Sequence, residues 1–129
     1  MARYLQPAWC LLIFINLILP TSAQTPPNAA ELQAYRGLHT AAAKGDVAEI
    51  ERLVKAGALI DARDGRDRTP LHVAAFMRKP DAARTLMRLG ADANALDVQK
   101  YDIVTIAAVA DDVPMLKVAR YYCSPHYYC

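Results

Sequence analysis

At 129 residues the chain has room for one modest domain, which excludes a large enzyme fold. Its 54% hydrophobic content is raised by an apolar N-terminus that has to be set aside first. Fifteen basic side chains against 13 acidic ones give no field strong enough to draw in nucleic-acid phosphate or an anionic membrane surface, so no nucleic-acid partner is expected.

The first segment has the anatomy of a secretory leader. Arg3 supplies the positive start, residues 8 to 19 an apolar run, Pro20 its end, and Thr21-Ser22-Ala23 the small residues that a signal peptidase reads. A membrane span needs about 20 apolar residues, and this run falls well short of that. Cys10 lacks the preceding Leu and small residues of a lipoprotein signal. Residues 1–23 are therefore expected to be removed after Ala23, leaving a chain without stable membrane insertion in the periplasm or outside the cell. Losing Arg3 takes the net charge from +2 to near +1.

Residues 24–37 read as a linker and a capping helix. Gln24-Thr25-Pro26-Pro27-Asn28 has the composition of a flexible connector, and Asn28 stands three residues before Glu31, the spacing of a capping box. A short helix from Ala29 to about Arg36, with Leu32 and Tyr35 turned inward, would cover the segment that begins at Leu38.

From Leu38 onward the sequence repeats itself. Leu38-His39-Thr40-Ala41-Ala42 recurs 33 positions later as Leu71-His72-Val73-Ala74-Ala75, and 33 later again as Val104-Thr105-Ile106-Ala107-Ala108. Leu53 falls on Leu86, Gly57-Ala58 on Gly90-Ala91, Asp61 on Asn94 and Asp64 on Asp97. The period divides the chain into units at 38–67, 68–100 and an incomplete 101–119. In the middle unit Thr69 caps a helix over Pro70 to about Met77, with Pro70 in the first position, where its missing N–H has no partner to lose. Leu71, Ala74 and Ala75 form one buried stripe whose alanines admit a close neighbour. A second helix, from about Asp81 to Leu89, turns Ala82, Ala83, Leu86 and Met87 inward and stops at Gly90. The first unit repeats the scheme, from Leu38 to Ala43 and from Val47 to Ala56, with a turn at Gly45-Asp46 and a stop at Gly57.

Thr69-Pro70-Leu71-His72-Val73-Ala74-Ala75 resembles the opening of an ankyrin repeat. Gly45-Asp46-Val47-Ala48-Glu49-Ile50, followed by Leu53-Val54-Lys55-Ala56-Gly57-Ala58, resembles its second half. The resemblance, over residues 38 to about 119, implies an all-α solenoid of stacked helix-turn-helix units joined by hairpin-like loops. Asp67 and Lys100 stand where the family often has a turn glycine, so looser loops are expected, and the third unit lacks the Pro and His. Residues 120–129 carry no family pattern and no polar capping helix, which reads as a truncated or frame-shifted end. Ile106, Val109, Leu116 and Val118 would then lack their next neighbour, and self-association through the uncapped third unit would follow.

The chemistry-bearing residues are few. Cys123, His126 and Cys129 are three apart, short of the four placed ligands of a structural zinc site, and a Cys123–Cys129 disulfide is the better use of the tail in an oxidising compartment. His39 and His72 recur at the repeat period and are read as loop-fixing side chains. No catalytic motif, metal site or cofactor is expected. The function expected is a non-catalytic protein–protein interaction module with an unidentified protein as partner. A secreted effector acting on host proteins and a small metal-binding protein using the Cys/His tail are the alternatives. The resemblance implies docking on the loop tips and the exposed side of the first helices, here Arg66, Arg68, Phe76, Met77, Gln99 and Tyr101, with Phe76 and Tyr101 as anchors. The charge-alternating loop from Asp61 to Arg68 reads as a solvated tip.

Overall fold

The computed structural model describes residues 24–122; residues 1–23, expected to be a leader, and Cys123, His126 and Cys129 lie outside the described residues. Every regular element among those described is an α-helix: α1 (Ala29–Ala34), α2 (Leu38–Lys44), α3 (Val47–Lys55), α4 (Pro70–Phe76), α5 (Pro80–Arg88), α6 (Ile103–Val109) and α7 (Val113–Tyr122).

The start of α4 shows how the sequence sets these boundaries. Thr69 is extended, its hydroxyl meets the His72 N–H, and the His72 ring Nδ1 accepts the Thr69 N–H at 3.0 Å. His72 thus takes the reciprocal place that a Glu or Gln usually holds in a capping box. Asn28 and Glu31 close the same box on α1 with carboxylate and amide.

The turns inside the three pairs are superposable in their bonding. Gly45, Arg78 and Asp111, spaced at the repeat period, all have left-handed backbone, with φ of 72°, 55° and 50°. After each, an N–H reaches back five residues at 2.9 Å: Asp46 to the Ala41 carbonyl, Lys79 to Ala74, Asp112 to Ala107. The outer helices α3 and α5 end on Gly57 and Gly90, at φ 90° and 103°, a conformation that costs a side-chain-bearing residue dearly.

α2, α4 and α6 pack side by side as one layer and α3, α5 and α7 as a second, each pair also packing across the layers. Leu71, Ala74, Ala75, Ala82, Ala83, Leu86 and Met87 are buried at the centre, as the repeat register requires. Ala41, Ala42 and Ala107 are buried at the corresponding places in the neighbouring units, and their small side chains let the inner helices approach.

Three expectations need correction. The loops at Asp67 and Lys100 are closed despite lacking glycine. Both residues take the left-handed conformation (φ 56° and 65°), and their N–H groups bond the Asp64 and Asp97 carbonyls at 3.1 and 2.9 Å. The third unit carries a complete helix pair, with α7 running on through Tyr122. Ile106 and Val118, expected at the open end, are buried because they face α4 and α5, and Leu116 is half-buried; of the four named, Val109 is the exposed one, at 63%. Finally, residues 24–28 are not a loose connector, since two of them are hydrogen-bonded to the second and third units.

Lys100 provides a test of the loop geometry. Left-handed backbone costs an L-residue about 1–2 kcal/mol, and glycine's extra chain entropy returns roughly 0.5–1 kcal/mol of that. Lys100→Gly is expected to raise stability by up to about 1 kcal/mol in urea denaturation. A loss would show that the side chain, and not the turn, sets the conformation.

Candidate protein-binding surface

The loop tips are built on two aspartates. Asp64 Oδ1 accepts the N–H groups of Arg66 (2.8 Å) and Arg68 (2.9 Å), and Asp97 Oδ1 accepts those of Gln99 (2.8 Å) and Tyr101 (3.0 Å). Each aspartate N–H then bonds the carbonyl four residues on, Asp64 to Arg68 and Asp97 to Tyr101, both at 3.0 Å. The histidines hold these loops to the helices: His39 Nε2–H donates to the Arg68 carbonyl and His72 Nε2–H to the Tyr101 carbonyl, both at 3.0 Å. Adjacent tips are joined by the Val98 N–H on the Arg66 carbonyl (3.0 Å) and by Arg63 Nη1, which donates to the Asp67 and Leu96 carbonyls at 2.6 Å. The result is a hydrogen-bonded ledge, on which Val98 stands 55% exposed.

Of the residues expected to face a partner, Arg66 and Gln99 are brought together on this ledge, both half-buried. Tyr101 lies beside them, partly buried against the core. Phe76 and Met77 sit at the other end of α4, about 10 Å along a helix of this length, and Phe76 also packs partly on the core. Arg68 is the clear departure: it is 1% exposed and offers a partner no surface. Its Nε reaches Asp64 Oδ2 at 2.8 Å and its Nη2 reaches Glu31 Oε1 at 2.9 Å, and the Tyr35 hydroxyl donates to the same Asp64 oxygen at 2.7 Å. Arg66 Nε meets Glu31 Oε1 at 2.9 Å on the solvent side. Asp64, Arg66 and Arg68 of the tip are therefore paired internally, with α1 and Tyr35 folded against them, while Arg68 Nη1 is buried without a hydrogen-bond partner.

These contacts tune the ionisable groups. Burial works against ionised Asp64, but the Tyr35 hydroxyl, the main-chain N–H groups of Arg68 and Arg66, and the Arg68 guanidinium outweigh it and hold its carboxyl below 3.8. The Asn28 N–H, followed by Arg68 and Arg66 against a desolvation penalty, lowers Glu31 below 4.5. Burial of Tyr35, with its bond to Asp64, pushes the phenol well up. His72 is lowered below 6.5, chiefly by burial, with Asp97 and the Tyr101 carbonyl opposing. A second proton would also have to enter at Nδ1, which already accepts the Thr69 N–H.

All three lowered groups bind protons more tightly unfolded than folded. Between pH 8 and 6.5 stability should then be full; it should fall as the pH drops from there through the lowered His72 value, and fall again below 4.5 as Glu31 and Asp64 are titrated. Urea melts across pH 8 to 3 check this. His72→Gln should remove the upper step and leave the lower, and a flat profile between pH 7 and 5 in the parent chain would contradict the assignment.

Among the described residues no helix is long and apolar enough to cross a membrane, and no three His, Cys, Asp or Glu side chains gather as a metal-ligand set. Glu31, Tyr35, Gln24 and Thr25 were not singled out as site residues from sequence. The sequence signals for how the ledge is held were the coincidence of Asp64 with Asp97 and of His39 with His72 at the repeat spacing.

Residues 38–87 match the family described as ankyrin repeats (many copies). Protein phosphatase 1 regulatory subunit 27 of Homo sapiens, and equally that of Mus musculus, is 47% identical over 58 residues, which is 45% of this chain and 38% of the relative. Inversin of Danio rerio is 31% identical over 81 residues, 63% of this chain and 8% of inversin. The chain thus spans well under half the length of these relatives. With three helix pairs stacked in two layers, the first two of them within the matched residues, the described fold is an ankyrin-repeat solenoid.

Proposed function

We propose that this chain is a non-catalytic protein-binding module working outside the cytoplasm, and that its partner docks on the ledge, the neighbouring open positions of α2 and α6, and the half-buried Phe76 and Met77 at the end of α4. The observation that carries the reading is the ledge itself: two loop tips, joined by the Val98–Arg66 main-chain bond and by the Arg63 side chain, hold an exposed Val98 and half-buried Arg66 and Gln99 on a preorganised surface, which lowers the ordering cost of association. Repeats of this type generally mediate protein–protein interaction, and a matched relative is named as a regulatory subunit. The shared segment is scaffold, so the phosphatase in that name is not carried over.

Photo-crosslinking in the native compartment tests it. A crosslinker at Phe76 or Val98 should give a discrete adduct, whereas one at Arg84, exposed on α5, should give none. Labelling that is equal from both faces refutes the surface. The location rests on Arg3, the apolar run and Ala23. Mass spectrometry of fractionated cells should find a chain beginning at Gln24 outside the cytoplasm, and an intact N-terminus in the cytosol would exclude export.

A further inference from the structure

The segment before α1 lies across the surface just assigned to a partner. Gln24 Nε2 donates to the Thr105 carbonyl on α6 at 3.0 Å, and the Thr25 N–H donates to Gln99 Oε1 on the ledge at 3.0 Å. Pro27 is buried, and the Glu31 carboxylate then meets Arg66 and Arg68 at the first tip. The chain therefore runs back from the third unit to the first, with Tyr35 on Asp64 as its fixed end. Its contacts span 81, 74 and 35 residues of sequence.

A segment that served only to close the fold would bury apolar side chains. This one scarcely does. α1 contributes no buried residue, Pro26, Asn28, Ala29 and Ala30 are exposed, and apart from Pro27 the hold between 24 and 31 is by polar contacts that water or another chain can replace. The same contacts state what this strip of surface accepts: a side-chain amide donor at Thr105, a main-chain N–H at Gln99, and a carboxylate at the solvent-facing Arg66, all presented by an extended chain.

We propose that this strip of surface, from Thr105 across Gln99 to Arg66, is a docking site for an extended peptide segment ending in an acidic side chain, and that residues 24–31 occupy it in cis until such a segment displaces them. The proposal rests on the binding-module reading above and adds the class of ligand and its intramolecular competitor. A tethered occupant acts at an effective concentration in the millimolar range, so it lowers the apparent affinity of a competing segment by the fraction of time the site is filled.

The probe is a fluorescent peptide with the sequence of residues 24–34, titrated against the purified chain and against a Gln24→Ala/Thr25→Pro variant, which loses both far-end donors. The variant should bind the probe about ten-fold more tightly than the parent, and replacing the probe's glutamate by glutamine should abolish most of that gain. Equal binding to both proteins overturns the proposal, as does no binding to a variant that melts like the parent. A variant that fails to fold also overturns it, because the segment would then be a fixed part of the core. Hydrogen exchange on the unaltered chain is independent of any variant: the Thr25 amide should exchange at least about 100-fold faster than that of Leu86, and equal protection refutes displacement. If Val98 crosslinks a partner while the probe results fail, the binding module stands and only the intramolecular occupant falls.

Discussion

Ala74→Arg is expected to abolish the cooperative unfolding transition of the stack. Ala74 is 0% exposed in α4, the helix that packs on both α2 and α6, so no direction is open to a longer side chain. Forcing extra volume into such a contact costs about 1–3 kcal/mol, and burying a charge without a partner adds several more. The sum approaches the whole stability of a small domain, about 5–15 kcal/mol. Arg66→Ala is the control: its ion pair with Glu31 is 42% exposed on the arginine side, and a change within about 1 kcal/mol is expected. Thermal melts by circular dichroism decide the matter, and closely similar melting points for the two variants would refute the repeat register.

The second large effect concerns the arginine that sequence placed on the surface. Arg68→Ala should cost about 2–4 kcal/mol in urea denaturation, somewhat under the roughly 3–5 kcal/mol usual for breaking a buried pair, because the Glu31 side chain keeps 24% of its exposure. The loss comes from what stays behind: Asp64, at 9% exposure, would face Tyr35 and the tip with its cation gone. Arg68→Lys should recover only part of it, since one ammonium cannot donate along the separate directions that Nε and Nη2 use toward Asp64 and Glu31. A cost of less than about 1 kcal/mol would mean that the two carboxylates find water instead.

The contrast between these two residues shows what was legible in the sequence. Ala74 was readable because its burial follows from local spacing: Leu71, Ala74 and Ala75 fall on one helical stripe, and the stripe recurs in every unit. Thr69-Pro70 and Gly57 or Gly90 were readable for the same reason, as helix starts and stops are settled within a few residues. Arg68 was not, because the loop from Asp61 to Arg68 has the alternating charge of a solvated tip, and its burial depends on Glu31 and Tyr35, whole helices away along the chain. Gln24 and Thr25 failed likewise: a Pro-rich polar stretch looks like a connector until the surface it lies on is known. The left-handed Asp67 and Lys100 are imposed by closure of the loop on the aspartate three residues before each, a bond that no propensity of Asp or Lys announces. Of the candidate surface, Arg66, Gln99 and Tyr101 were placed together and Phe76 and Met77 apart, since the resemblance gave the face but not the distance along it.

The turns at Gly45, Arg78 and Asp111 have a consequence for how such a chain can change in length. One backbone shape is reached there by a glycine, a cation and an anion, so the joint does not depend on a particular residue and is free to drift. Both faces of the middle unit meet their neighbours through equivalent helices, α2 with α4 and α4 with α6. A second copy of residues 68–100 spliced in after Lys100 would encounter the same joints above and below. The molecule is in this sense a ruler with a fixed graduation: it grows by whole units, and each added unit brings another tip to the ledge.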